Sequence, residues 1–413
     1  MGRWAQQHIR SRGSSLSGSI LIPLLHAVFF IAAATQTALV PLLPRISHDY
    51  ALAPSATGLL LAAPGLATLA VSMPAGLVAD RLGARRVTIA ATALMCLAAL
   101  AQAAPSYPAL LAGRLAFGFA FGILWTTGVT WMSRSHEESG SPRLGAVATS
   151  AAVGMVAGPA IGGAIADQFG LGAPFLFVGL LAALLTIALQ RQTAPRPTAG
   201  ATPGRDSLRN FARVAPRQPA MVSAALALAV AGAVGGVAQL LVPLQLHHAG
   251  FSAGGTGLAF SAAAGLYIGV SAVVLRMGRR ATTVRSTALG ALGLALSLLP
   301  AVFGLGPVGL VGVLLLSTAP RALVSTVSYP LATEAAAGAE LGDGIAIGVL
   351  NGTWAVGLVL APLIAGAIDQ LAGPRPAYLT AVVPGVLVAL WLLLSAHAAG
   401  GSRRRGELAA ASA

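Results

Sequence analysis

The sequence predicts an all-α integral membrane protein: twelve transmembrane helices arranged as two pseudo-symmetric six-helix bundles. Three observations carry this prediction. Of 413 residues, 56% are hydrophobic and only 9% charged, far too apolar for a water-soluble globule. Apolar runs long enough to cross a hydrocarbon core, roughly 20 residues as a helix, begin near residues 19, 54, 87, 107, 144, 172, 219, 255, 286, 307, 344 and 376. Weak internal repetition relates the first half to the second, as expected of a membrane fold built from structural repeats. Lipid offers backbone groups no water, so runs of this length are read as helices.

In chain order, residues 1–18 form an N-terminal tail carrying Arg3, Arg10 and Arg12. The apolar run behind them is too long for the core of a signal peptide and is read as a retained first helix. Residues 19–190 make the first six-helix bundle and 219–397 the second. Between them, at 191–218, Arg, Pro, Thr and Gly replace the apolar runs, as in a cytoplasmic linker. Residues 398–413 form a C-terminal tail with Arg403, Arg404 and Arg405.

A net charge of +14 on a soluble surface would suggest nucleic acid, but its placement reads as topology. All 25 basic residues are arginine. Arg45 and Arg375 fall on one side, Arg114 and Arg321 fall within helices, and the remaining 21 fall in the two tails and the alternate loops that share their side. The positive-inside rule then places both termini in the cytoplasm, with an even number of helices. The single cysteine, Cys96, excludes a disulfide framework or a cysteine-rich metal site.

The repeat is visible in three places. Val40-Pro41-Leu42 before Thr57-Gly58-Leu59 recurs as Val242-Pro243-Leu244 before Thr256-Gly257-Leu258. Gly154, Gly158, Pro159, Gly162 and Gly163 recur as Gly357, Ala361, Pro362, Ala365 and Gly366. A loop after the second helix, with Gly76, Asp80, Arg81, Gly83, Arg85 and Arg86, recurs in worn form as Arg276, Gly278, Arg279 and Arg280.

That loop resembles the signature between the second and third helices of major facilitator superfamily transporters. The resemblance implies that Asp80 helps to close the cytoplasmic side, against the start of the eleventh helix near Asp343 to Ile345 and against Arg134. A carboxylate is favoured at a helix N-terminus, and the contact would break only as the halves part. In the plainer reading, Arg81, Arg85 and Arg86 anchor topology. Gly154, Gly158 and Gly162 follow one another at i+4 and form a smooth ridge for a neighbouring helix, with Pro159 as a kink point. With Gly163, the pattern is similar to the fifth-helix motif of the twelve-helix drug–proton antiporters and points towards export.

Arg114 begins an Arg-x-x-x-Gly118 pattern in the fourth helix that resembles a superfamily motif tied to proton coupling. Phe121 and Trp125 fall on its face, suiting a substrate cavity; the alternative is an arginine that snorkels to the outer surface. Arg321, about fourteen residues into the tenth helix, is expected to line a cavity. None of the eleven acidic residues sits mid-helix. Embedded arginines without embedded acids favour a neutral or anionic cargo. His26 is the remaining titratable candidate for coupling, unless it only hydrogen-bonds a neighbouring helix. Thr37 aligns with Gln239 across the repeat, and Asn351 and Trp354 share a face of the eleventh helix at i, i+3; all four are candidates for the cavity.

The expectation is therefore a secondary active transporter working by alternating access in a bacterial inner membrane. It exports a small organic molecule, with or without exchange for protons. One alternative is an organic-anion transporter or facilitator with Arg114 and Arg321 as a charge clamp; another, of a different class, is a non-transporting membrane sensor. No enzyme chemistry, cofactor, metal or nucleic acid is expected, and the partners are a small-molecule substrate, protons and the lipid bilayer, around a monomer.

Overall fold

A computed structural model describes the backbone of residues 2–134, 140–192, 213–339 and 343–411, with side chains described for most of residues 20–397. Among the described residues the secondary structure is helical throughout. The helices are α1 (Gly2–Ala38), α2 (Leu43–Asp49), α3 (Pro54–Leu82), α4 (Ala84–Ala103), α5 (Tyr107–Arg134), α6 (Gly140–Phe169), α7 (Ala173–Gln190), α8 (Pro219–His248), α9 (Ala253–Met277), α10 (Val284–Leu296), α11 (Leu299–Val302), α12 (Gly306–Leu316), α13 (Thr318–Gly338), α14 (Asp343–Ala372) and α15 (Pro374–Ala411). They make twelve segments long and apolar enough to cross a membrane, the first from Ile20 and the last ending at His397. The linker region expected at 191–218 includes 193–212, which lie outside the described residues.

Among the described spans the first is broken between α1 and α2, and the ninth and tenth are broken too, with local hydroxyls at both of these latter breaks. In the ninth, Ser297 Oγ donates to the Leu294 carbonyl (2.7 Å) just where α10 ends. In the tenth, Ser317 Oγ donates to Leu314 (2.8 Å) and Thr318 Oγ1 to Leu315 (2.6 Å), at the junction of α12 and α13. Such side chains compete with the helical ladder for the same carbonyls.

The chain divides into two compact units, and the division does not follow chain order strictly. One comprises Met1–Ala51, Ala63–Ala201 and Ser252–Ser261; the other comprises Leu52–Ala62, Thr202–Phe251 and Ala262–Ala413. The first turns of α3 thus belong with the second unit, and those of α9 with the first.

Within the first unit, α6 lies on α1. A β-carbon on Gly154 or Gly158 would overlap the carbonyls of Phe30 and Ala34, and one on Gly162 would stand 2.9 Å from the Ala38 β-carbon. The start of α9 is held equally closely, Gly257 facing the Pro159 carbonyl and Gly163 the Ala253 carbonyl. Gly254 N–H donates to Asp167 Oδ2 (2.8 Å) and Ala160 N–H to Ser261 Oγ (3.1 Å). Leu25, Phe29, Met95, Phe117, Leu124 and Trp131 fill the core of this unit.

The second unit repeats the scheme. Gly357 on α14 faces the Ala229 carbonyl of α8, and Gly232 on α8 faces the Trp354 carbonyl. The start of α3 is held through Gly58 against the Pro362 carbonyl and Gly366 against Pro54. The positions that recur in the sequence therefore make corresponding contacts: small residues where one backbone rests directly on another.

The α3–α4 connection is a single residue, Gly83, at φ +87°. An added β-carbon there would meet nothing within 4 Å, so the requirement for glycine is conformational. With ψ at 136° the residue lies outside the αL well, so Gly83→Ala is expected to cost about 1–3 kcal/mol, the scale for a side chain forced into a sparsely populated region, read as a lowered melting temperature in detergent. A Gly83→Asn variant should melt about as low as Gly83→Ala, since the tolerance of Asn for positive φ is confined mostly to the αL well; equal melting of wild type and Gly83→Ala would refute the argument.

Candidate functional site

In the first unit the candidates gather around α5. Arg114 is completely buried, so the alternative in which it snorkels to the surface does not hold. Its Nε, Nη1 and Nη2 have no hydrogen-bond partner among the described residues. The guanidinium carbon stands 5.6 Å from the centroid of the Phe117 ring. Phe117 lies 5.7 Å from Phe121, Phe121 lies 6.1 Å from Trp125, and Trp125 lies 5.1 Å from Phe29 on α1. These tilted pairs fall in the range in which aromatic rings attract. The structure thus brings Arg114, Phe121 and Trp125 into one ladder, as their spacing implies. Its first rung, Phe117, was not anticipated. The signal for it was available: a helical side chain covers the turn N-terminal to its own Cα, so the residue at i+3 lies over residue i.

His26 on α1 reaches across to α6, its Nδ1 2.7 Å from Ser150 Oγ. The Thr37 hydroxyl is engaged at the α1–α6 crossing, 3.2 Å from the Ala34 carbonyl and 3.3 Å from those of Ala33 and Met155. Pro159 has no N–H, which leaves the Met155 carbonyl without its helical donor; Thr37 supplies one.

In the second unit Arg321 stands over the Tyr267 ring, 5.0 Å from its centroid. Tyr329, eight residues along α13 from Arg321, donates its hydroxyl to Asn351 Oδ1 on α14 (2.6 Å). Trp354 is partly buried one turn further on, its carbonyl covered by Gly232. Gln239 is partly buried on α8 and belongs to a different unit from Thr37. Tyr267 and Tyr329 were not singled out from the sequence, although a phenol inside an apolar run needs a polar partner.

Of the signature loop, the side chains of Gly76, Asp80 and Arg134, and those of Asp343 to Ile345, lie outside the described residues. Arg81 and Arg86 are exposed. Arg85 donates from Nε to the Gln192 carbonyl (2.7 Å) and from Nη2 to the Gln190 carbonyl (2.6 Å). It caps the end of α7, where carbonyls lack helical donors and a cation is favoured.

Twelve membrane-length helices among the described residues define a multi-pass membrane protein. The comparisons narrow this. The sequence matches the Major Facilitator Superfamily over residues 25–347, and the chain belongs to that family. A multi-drug resistance efflux pump PmrA homolog of Lactococcus lactis is 33% identical over 132 residues, 32% of this chain and 33% of that protein. A Mannheimia succiniciproducens protein named as a probable sugar efflux transporter is 27% identical over 174 residues, 42% of this chain and 44% of that one. The chain therefore spans less than half the length of these curated relatives. Among solved structures, a bacterial homolog of the human lysosomal transporter Spinster, inward-facing and unoccupied, superimposes with a TM-score of 0.73 at 15% identity, covering 92% of this chain and 96% of that one. The nucleoside transporter NupG gives 0.73 at 14% identity, covering 91% and 99%. At such identities the likeness is one of fold. The family and the solved neighbours are transporters rather than enzymes.

Proposed function

We propose that this protein is a secondary active transporter that exports a small organic molecule across the cell membrane by alternating access. The observation that carries the reading is Arg114, a guanidinium at membrane depth with no acceptor among the described residues. A charge there is expensive, and by default it acts on something that passes. Two relatives named for efflux support the direction. The arginine-rich alternate loops support cytoplasmic termini in a bacterial inner membrane, and the protein works as a monomer.

A second reading is favoured by the same arginines. Arg114 and Arg321 sit within spans, whereas the described acids of the spans, Asp49, Asp167, Glu334 and Asp369, lie at or near their ends. An acceptor-bearing or anionic cargo fits that balance better than a cation. Asp80 latches the cytoplasmic side, and His26 is the candidate proton carrier if export is coupled.

The test is reconstitution into liposomes under an imposed proton gradient, with a panel of cationic dyes and aromatic organic acids. Gradient-driven movement of a cation, lost in His26→Ala, would establish proton-linked export. Movement confined to acids and lost in Arg321→Ala is the result expected of the anion reading; unchanged affinity for an acid cargo in Arg321→Ala would sink it. Saturable flux without counterflow would count against a carrier altogether.

A further inference from the structure

We propose that a phospholipid binds in a groove between α1, α6 and α7, one acyl chain on its apolar floor and its headgroup at Arg45. The groove is a shallow, half-open trough with a cavity volume of about 60 Å³, and every residue lining it is apolar. Its floor is made where α6 rests on α1, at Ala34, Gly158 and Gly162, and its walls include Ile161 and Phe177, both about half exposed. All of these residues belong to one unit and to membrane-length spans, so the surrounding medium is lipid.

The groove has a polar end. Along α6 it runs from Gly158 to Ile165, about 10 Å at the helical rise, or roughly a third of the hydrocarbon thickness. Pro174, at the start of α7, also lines it, so it opens at the edge of the span, where headgroups lie. One residue beyond Ile165, the Ala166 carbonyl accepts from Arg45 Nη1 (3.3 Å). Arg45 therefore stands at the mouth, and its side chain is 45% exposed.

Arg45 is also one of two arginines that the positive-inside pattern leaves unexplained. Its acidic neighbour is Asp49, four residues along, with Nε to Oδ2 at 3.8 Å, and His48 faces the same carboxylate at 3.3 Å. A loose, exposed pair of this kind contributes little, whereas a guanidinium grips a phosphate through paired, charge-assisted hydrogen bonds. One charged end above a strictly apolar trough about 10 Å long matches a phospholipid and does not match a soluble polar ligand.

Native mass spectrometry tests this with phosphatidylglycerol added to detergent-purified wild type, Arg45→Gln, Val178→Trp and Leu184→Trp. Val178 lines the groove, so an indole there fills it; Leu184 is an exposed residue of α7 outside it. Wild type and Leu184→Trp should retain one phospholipid more tightly than the rest. Arg45→Gln should bind it about tenfold more weakly, the scale of one lost charge-assisted hydrogen bond. Val178→Trp should bind it at least as weakly, because the indole takes the place of the acyl chain. Diacylglycerol with the same chains should bind wild type as weakly as phosphatidylglycerol binds Arg45→Gln. Wild-type affinity in both groove variants, equal weakening in Leu184→Trp, or equal binding of diacylglycerol by wild type would each overturn the proposal. Arg45 is exposed enough that Arg45→Gln should fold normally, so its result stands even if Val178→Trp misfolds.

Discussion

Replacing Arg114 with methionine is expected to cut transport by about a hundredfold, near 3 kcal/mol, while raising the melting temperature. The two effects share one cause. Arg114 is wholly buried, and its three nitrogens lack acceptors among the described residues. What it gains is the face of Phe117, about 2 kcal/mol for a desolvated cation over a ring. What it loses is hydration, which costs several kcal/mol even after relaxation. The balance is against the fold. Methionine has a similar unbranched reach and fills irregular apolar space, so the substitution should stabilise by about 1–4 kcal/mol, the range seen when buried ionic groups give way to apolar ones. Thermal unfolding in detergent and flux in liposomes measure the two arms. A variant that transports normally would show that Arg114 does not act on cargo or coupling. One that both melts lower and transports poorly would show that the guanidinium has a structural partner. Arg114→Lys sharpens the test: it keeps a charge but loses the planar fork, so it should leave transport strongly impaired without the full gain in stability.

The sequence made the architecture readable because membrane insertion reduces folding to a one-dimensional problem of apolar length. Runs expected to begin near 54, 107 and 219 begin there, and the first, expected near 19, is met at Ile20. Span edges were harder where polar residues continue a helix: the third begins at Ala84 rather than near 87, because Arg85 and Arg86 are tolerated in its first turn. The face shared by Arg114, Phe121 and Trp125 was readable from 3.6-residue periodicity, but the ring that covers the guanidinium was not read, because periodicity ignores the backward lean of side chains. What no single-chain pattern displays is the identity of the partner helix. That Arg85 would find the carbonyls ending α7, or that Tyr329 would reach Asn351, depends on how segments far apart in sequence meet. The glycines are a partial exception. Their repetition shows that close approaches exist, and the structure supplies the carbonyls approached.

The second large effect is expected on the α6 ridge. Gly158→Ala should destabilise the protein by about 1–3 kcal/mol, the usual cost of forcing one methyl into a packed contact, and Gly158→Leu should prevent folded protein from accumulating. The added β-carbon would overlap the Ala34 carbonyl and the Thr37 hydroxyl and would stand 2.9 Å from the Ala34 Cα. None of these is the far end of a flexible side chain. Backbone must move, and with it the hydroxyl that serves the Met155 carbonyl, so the steric cost brings a lost hydrogen bond with it. The contrast is Gly265 in α9, where a β-carbon would meet nothing within 4 Å. Gly265→Ala should be neutral or stabilise by about 0.5–1 kcal/mol, the ordinary preference for alanine in a helix. Melting temperatures of the two variants separate a steric requirement from mere abundance of glycine, since the chain has 50 of them. If Gly158→Ala melts no lower than Gly265→Ala, then α1 and α6 can part by a few tenths of an ångström without penalty. In that case the recurrence of the ridge in α14 would need a reason other than close packing.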